Sequence, residues 1–442
     1  MTTSAEPPAL ADRSALRKWD LAYRAVYALY IIIGFAARSF GWIHGDAEWF
    51  VRAARRVLDG SFDLYGFRSV VDSAPPLGTS YSYSSFMALL IAPFVGVADA
   101  LGLGEGWAER LMAIPLLFAD VLAMHQLRRL VREWRPAVDE RVVFLGVLMT
   151  LFLTGFWVVS AYGGHDEGLL LLFLLLSLRI TPRNLLLGGL CAGLALSAKQ
   201  TAIFQLLPVG LVLLVSRSTS PGESTNPSLR SPFMRAVAWG GVALGVFALF
   251  VLPGALSNPD AARYALLVQP TRLTTFGAGL PVWVDMAFKA TLDQAGYAAA
   301  HRRVVEDSNL VLFGAVFLAS AFAIWRARRR GQPIGLVDAR LLALVAFGGV
   351  AQIVFGKWVT GHYYQLPLAL VLIWDIVRTT PRPSPNGQVH IAIPWVGLGA
   401  PVVFRSITQL GVWWVKDGLV ITLFVVLAVI TLRGALGEDD GP

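Results

Sequence analysis

The chain has 442 residues, 56% of them hydrophobic and only 15% charged, with a mean hydropathy of +0.61 and a formal net charge of +8. A soluble domain carries about 25% charged residues, so this composition excludes a soluble enzyme with one wet surface, and it excludes disorder. Apolar runs recurring from end to end imply a polytopic membrane protein instead, in which the placement of positive charge says more than its sum and gives no reason to expect nucleic acid as a partner.

Runs near 20 residues predict an all-α bundle with about twelve spans, at 21–40, 108–127, 141–161, 168–180, 184–199, 202–216, 236–254, 308–325, 338–355, 363–377, 391–407 and 418–433. A further apolar stretch, 84–101, either spans or stays on one side as a re-entrant or interfacial segment. Basic residues favour the second choice. With 84–101 not crossing, the clusters RRLVREWRP and RARRR both fall inside, as the positive-inside rule requires, and both termini are cytoplasmic. The basic N-terminus before span 21–40 reads as an uncleaved signal anchor, because the run is too long for a cleaved signal and lacks a clean small-residue cleavage site. The expected organisation is a cytoplasmic tail (1–20), a membrane module (21–377) with outer loops 41–107 and 255–307, a cytoplasmic linker (378–390), a C-terminal pair of spans (391–433) and a short tail (434–442). The single cysteine, Cys191, lies in an apolar run, so neither an intramolecular disulfide nor a cysteine zinc cluster can form.

More than half of the 29 acidic residues fall in the expected outer segments, and only Asp120 sits well inside a span. The first outer loop opens GWIHGDAEWFVRAARRVLDGSFDLYG. From Ala47 to Leu58, Trp49, Phe50, Ala53, Ala54, Val57 and Leu58 share one helical face, and Arg52, Arg55, Arg56 and Asp59 the other, which predicts an amphipathic helix at the headgroup level. Asp46 stands at its start, either as an N-cap or as a carboxylate held above the bilayer to act as a general base; the two roles are compatible. Glu48 points away from Asp46 on a helix and reads as a solvated acid, although a D-x-E pair in a loop can hold a divalent metal. In SAPPLGTSYSYSSFMALLIAPF, Pro75 and Pro76 stiffen the chain, and Tyr81 and Tyr83 suit the interface.

Further on, GHDEGL places His165, Asp166 and Glu167 in succession between two apolar runs. They form either a hydrophilic turn or a group that binds an acceptor hydroxyl or a metal. LALSAKQTAIFQLLP puts Lys199 and Gln200 at the outer end of a span, where the lysine either snorkels or meets a phosphate. GKWVTGHYYQLPL supplies Lys357, His362, Tyr363 and Tyr364, which read as an interface girdle or, for His362, as a phosphate donor or proton shuttle. The second long outer loop offers Gln269 and Arg272 in QPTRLTTFG.

In this order the motifs GDAEWFVRAARRVLDGSFDLYG, YSYSSFMALLIAPF, GHDE, ALSAKQTAIFQLLP and KWVTGHYY resemble the C-type membrane glycosyltransferases that use polyprenyl-phosphate sugars. Within them the chain is most like the bacterial polyprenol-phosphate-mannose-dependent α-(1→2)-mannosyltransferases, over residues 20–375. The resemblance implies a catalytic aspartate at Asp46, the family tyrosine at Tyr65, its tyrosine-rich motif at Tyr81–Ser85 with serines in place of proline, and an acidic turn at Asp166 or Glu167. It also implies Lys199 with Gln200 and a late histidine at His362.

The resulting expectation is inverting transfer of a hexose from a polyprenyl phosphate to a lipid or glycan hydroxyl at the outer face.

 The hexose expected from the resemblance is mannose. In this reading Asp46 takes the acceptor proton, and the phosphate leaves toward Lys199, His362 and Arg272. Glu48, His165, Asp166, Glu167, Gln200, Tyr83 and Tyr363 are the candidates for binding the acceptor or serving as a second acid. A leaving monophosphate needs no metal, so no cofactor is required, although a divalent metal fits the chemistry. The alternative is a transporter or flippase for a lipid-linked sugar, which favours mid-bilayer charges and paired repeats. A non-catalytic scaffold would instead leave Asp46, Lys199 and His362 apart in space.

Overall fold

The fold comes from a computed structural model, which describes residues 12–40, 46–66, 83–153, 166–216, 231–268, 276–356, 358–359, 361–380 and 393–437. It is all-helical. In chain order the helices are α1 (Asp12–Phe40), α2 (Asp46–Leu58), α3 (Ser85–Ala100), α4 (Glu105–Trp134), α5 (Glu140–Leu148), α6 (Glu167–Ile180), α7 (Leu185–Ala198) and α8 (Ile203–Val215). They continue with α9 (Pro232–Ser257), α10 (Pro259–Arg263), α11 (Leu280–Thr291), α12 (Gln294–Arg329), α13 (Ala339–Phe355), α14 (Gln365–Thr379), α15 (Trp395–Thr408) and α16 (Trp413–Ala435). Among the described residues the strand content is one two-residue parallel ladder, Phe276–Gly277 beside Trp358–Val359.

Among the described residues, four helical stretches are long and apolar enough to cross a membrane: Arg17–Ala37, Pro232–Ser257, Gln294–Arg329 and Trp414–Ala435. Each expected span lies at least partly on a helix, but several of those helices are short. The 14 residues of α6 or α7 rise only about 21 Å, less than the roughly 30 Å of a hydrocarbon core. The stretch 84–101 forms the 16-residue apolar helix α3.

The long and short helices occupy different places. The long ones expose large apolar side chains, including Ile32 on α1, Leu249 on α9, Leu318 on α12 and Val429 on α16. The short α13 and α14 are apolar nearly all round, and almost every residue of each is buried, as expected for helices in the middle of a bundle.

Small residues allow the closest helix contacts. Gly189 and Gly193, one turn apart on α7, lie against α9, where an added Cβ would come 2.6 Å from the carbonyl oxygens of Trp239 and Ala243 respectively. Such spacing lets backbones approach without side chains between them. Gly193→Val is therefore expected to destabilise the bundle by roughly 1–3 kcal/mol through overpacking, read as a lower melting temperature of the purified protein.

Charged groups tie the helices together at one pole. Arg128 on α4 bonds Asp20 of α1 at 2.7 Å and Glu140 of α5 at 2.5 Å, and its guanidinium lies over the Tyr23 ring at 4.1 Å. Arg179, near the end of α6, pairs with Glu133 of α4 at 3.3 Å. Asp375 near the end of α14 accepts the Gly397 N–H of α15 at 2.8 Å and bonds Arg378 at 2.8 Å. The beginning of α6 is therefore at the opposite pole.

The amphipathic helix expected in the first outer loop forms as α2, but protein covers its apolar face. Ala47, Phe50, Val51, Ala53 and Ala54 are fully buried, with α3 packed alongside, whereas Leu58 remains exposed. On the polar face Arg55 makes two bonds to Asp99 of α3, at 3.0 and 2.9 Å. Gly102 and Gly104, with φ of 64° and 77°, supply the left-handed backbone that turns α3 into α4.

Candidate functional site

At the pole opposite Arg179, the start of α6, the end of α7 and the start of α14 meet around Lys199. The chain between α7 and α8 is nearly continuous, interrupted only by Lys199 in extended conformation (φ −153°, ψ 122°) and a 3-10 turn, Gln200–Ala202. That break directs the lysine into the bundle. Its Nζ lies 3.2 Å from Asp166 Oδ1, bonds Glu167 Oε1 and sits 4.4 Å from the centre of the Tyr363 ring. Lys199, Asp166 and Glu167 are all buried.

Local structure explains how both acids reach the lysine. Asp166 is the N-cap of α6 but makes no side-chain cap bond, and its carboxylate turns to Lys199. Glu167 begins the helix, where the N-terminal end of the dipole favours an acid. Fully ionised, two carboxylates against one ammonium leave one negative charge in excess. The ammonium occupies the position between the acids that a cation would take, and its remaining proton-donor capacity faces the aromatic ring.

Behind this cluster lies a second layer that the sequence motifs did not include. Asp120, completely buried on α4, accepts the hydroxyl of Tyr30 from α1 at 2.6 Å. Its other oxygen occupies the space where a side chain at position 168 would stand, so α6 can approach only with glycine there. The visible signals were an acid deep in an apolar run and a glycine directly after Glu167. Nothing local singled out Tyr30.

The first outer loop connects to the same place. Phe50 of α2 packs against Tyr83 with ring centres 4.9 Å apart. Ser84 caps α3 and donates its hydroxyl to the Ser197 carbonyl at 2.5 Å, two residues before Lys199. Ser85 donates to the Phe250 carbonyl of α9 at 2.7 Å. Tyr65 is buried against α9, where a Cβ on Gly254 would come 2.7 Å from its ring. Burial pushes its phenol up to about 12, so it remains a neutral hydroxyl at physiological pH.

Of the expected site residues, the structure brings Lys199, Asp166, Glu167 and Tyr363 into contact and joins Tyr83 to them through the neighbouring Ser84. Gln200 opens the 3-10 turn and is half-buried. Glu48 instead pairs with Arg52 along the exposed side of α2, in agreement with a solvated acid. Tyr364 departs from an interfacial position: its ring is buried against Phe404 and Phe424, at 4.9 and 5.4 Å. His165, Arg272, Gln269, Tyr81 and Lys357 lie outside the described residues, as do the side chains of Asp46 and His362. The backbones of the last two place Asp46 at the start of α2 and His362 in the turn directly before Tyr363.

Compared with known proteins, the chain matches no family model and no curated protein.

Proposed function

We propose that the protein is an inverting glycosyltransferase that moves a hexose, mannose by resemblance, from a polyprenyl phosphate to a lipid or glycan hydroxyl. The reaction takes place at the outer face of a bacterial-type plasma membrane, within a bundle of about twelve spans in which buried short helices are surrounded by longer ones. The observation that supports this reading best is the buried Lys199–Asp166–Glu167–Tyr363 cluster, at the pole opposite the basic residues near Arg128 and Arg179.

In this mechanism Asp46 accepts the proton of the acceptor hydroxyl while that oxygen attacks the anomeric carbon. The bond from that carbon to the phosphate oxygen breaks, and the electron pair leaves with the polyprenyl monophosphate. Asp166 and Glu167 hold the Lys199 ammonium charged and fixed. Because they already offset its charge, His362 and Arg272 supply the remaining positive charge for the phosphate. Carboxylates beside an aromatic ring also suit sugar hydroxyls, which gives Tyr363 a place in orienting the transferred hexose.

The donor class is tested in sealed, right-side-out vesicles carrying the protein. Labelled polyprenyl-phosphate mannose added outside is expected to label a lipid or glycan. Labelling from an external nucleotide sugar in vesicles depleted of polyprenyl phosphate would contradict the proposal.

A further inference from the structure

The stretch Ser308–Trp325 of α12 carries no charged side chain. It rises about 27 Å, close to the roughly 30 Å of a hydrocarbon core, so the arginines that follow it stand at a headgroup level. That level belongs to the pole of Arg128 and Arg179. Arg330 donates to the Leu436 carbonyl at the end of α16 at 3.4 Å, and α16 meets Trp374 near the end of α14 through Gly434.

Arginine at a helix C-terminus suits the macrodipole, and elsewhere at this pole the guanidinium groups also have carboxylate partners. Arg128 bonds Asp20 and Glu140, Arg183 bonds Glu133, Arg340 bonds Asp338 and Arg378 bonds Asp375. Arg328, Arg329 and Arg330 differ. All three are exposed, and among the described residues no carboxylate pairs with them.

An apolar stripe leads up to them from the bilayer centre. Leu318, Phe322, Trp325 and Arg329 follow one another at helical spacing, so they share one face of α12. The first three are exposed, the Phe322 and Trp325 rings are 5.8 Å apart, and the Arg329 guanidinium lies 5.1 Å from the centre of the Trp325 ring. Stacking holds the guanidinium by its face and leaves its N–H edge open. From the bilayer centre outward this face presents aliphatic, then aromatic, then cationic groups. A phospholipid presents its chain, glycerol and phosphate in the same order.

We infer that this face of α12 binds an anionic phospholipid in the leaflet at the basic pole, such as phosphatidylglycerol. The phosphate accepts from Arg329 and Arg330, and one acyl chain lies along Leu318, Phe322 and Trp325. With no carboxylate paired to them, the arginines attract net negative charge and offer nothing to the ammonium of a zwitterionic headgroup. The inference is independent of the proposed transfer reaction.

The full chain is reconstituted in nanodiscs containing equal parts phosphatidylglycerol, phosphatidylethanolamine and phosphatidylcholine, then extracted in mild detergent, and retained lipids are counted by native mass spectrometry. Phosphatidylglycerol is expected to be enriched over both zwitterionic lipids by roughly fivefold for each engaged arginine. Arg329→Gln combined with Arg330→Gln is expected to lose one phosphatidylglycerol per chain. Arg183→Gln, at an exposed arginine already paired with Glu133, is expected to keep it. Phe322→Ala combined with Trp325→Ala is expected to weaken retention while keeping the preference among headgroups. All these substitutions are at exposed positions, and a monodisperse elution profile checks folding. Equal retention of the three lipids, an unchanged phosphatidylglycerol count in the double arginine variant, or the same loss from Arg183→Gln would each overturn the inference.

Discussion

Gly168→Ala is expected to destabilise the protein and to abolish the proposed sugar transfer, although helix propensity alone predicts that alanine should stabilise the helix. Alanine is favoured over glycine inside a helix by about 1 kcal/mol. At this position the new Cβ would overlap Asp120 Oδ1, and the carboxylate cannot retreat easily because it is completely buried and bonded to Tyr30 at 2.6 Å. Overpacking costs roughly 1–3 kcal/mol, and disturbing a buried charge-assisted hydrogen bond adds roughly 1.5–3 kcal/mol. The steric effect therefore wins. Either α6 moves, taking Asp166 and Glu167 from Lys199, or Asp120 moves and releases Tyr30. Combining Gly168→Ala with Asp120→Ala restores space, so the double variant is expected to be more stable than the sum of the two single changes predicts. Melting temperatures of the four proteins in one detergent measure this coupling; strict additivity would show that the two residues do not compete for space.

Lys199→Met is expected to have the largest effect on stability. The substitution keeps the length of the side chain but leaves two buried carboxylates without their shared ammonium. Breaking a buried ion pair by removing one partner costs about 3–5 kcal/mol, and losing the contact with the Tyr363 ring adds up to about 2 kcal/mol in a desolvated setting. Lys199→Met combined with Glu167→Gln and Asp166→Asn removes the charge imbalance and should recover much of the stability without recovering transfer. Thermal unfolding together with a transfer assay separates these effects. Equal stability of Lys199→Met and wild type would mean that the carboxylates do not depend on the lysine.

The sequence conveys some levels of this structure better than others. The repeat of apolar positions from Ala47 to Leu58 reveals helix α2, because helical spacing is local. It does not reveal that α3 covers the apolar face, since lipid and protein are equally acceptable neighbours for Phe50 and Ala54. Lys199 stands out as a cation within an apolar stretch, but its two carboxylate partners are 32 and 33 positions away in the chain, and only the packing of α6 against α7 brings them together. Asp120 stands out in the same way, whereas Tyr30 looks like any aromatic residue on a membrane helix. Hydropathy finds the twelve apolar stretches without separating the long peripheral helices from short ones buried among them, because burial in protein and burial in lipid select the same side chains.

Glycosyl transfer with Asp46 as its base is tested most directly by comparing wild type with Asp46→Asn in membranes at equal protein level. The donor is labelled polyprenyl-phosphate mannose, and the readout is label in the lipid or glycan fraction. Wild type is expected to transfer, and the variant, which keeps the size and helix-capping ability of the side chain, to fall by roughly 10²–10⁴-fold, the usual contribution of a general base. Equal transfer by the two proteins would contradict the assignment and leave Asp46 as an acid at the start of α2.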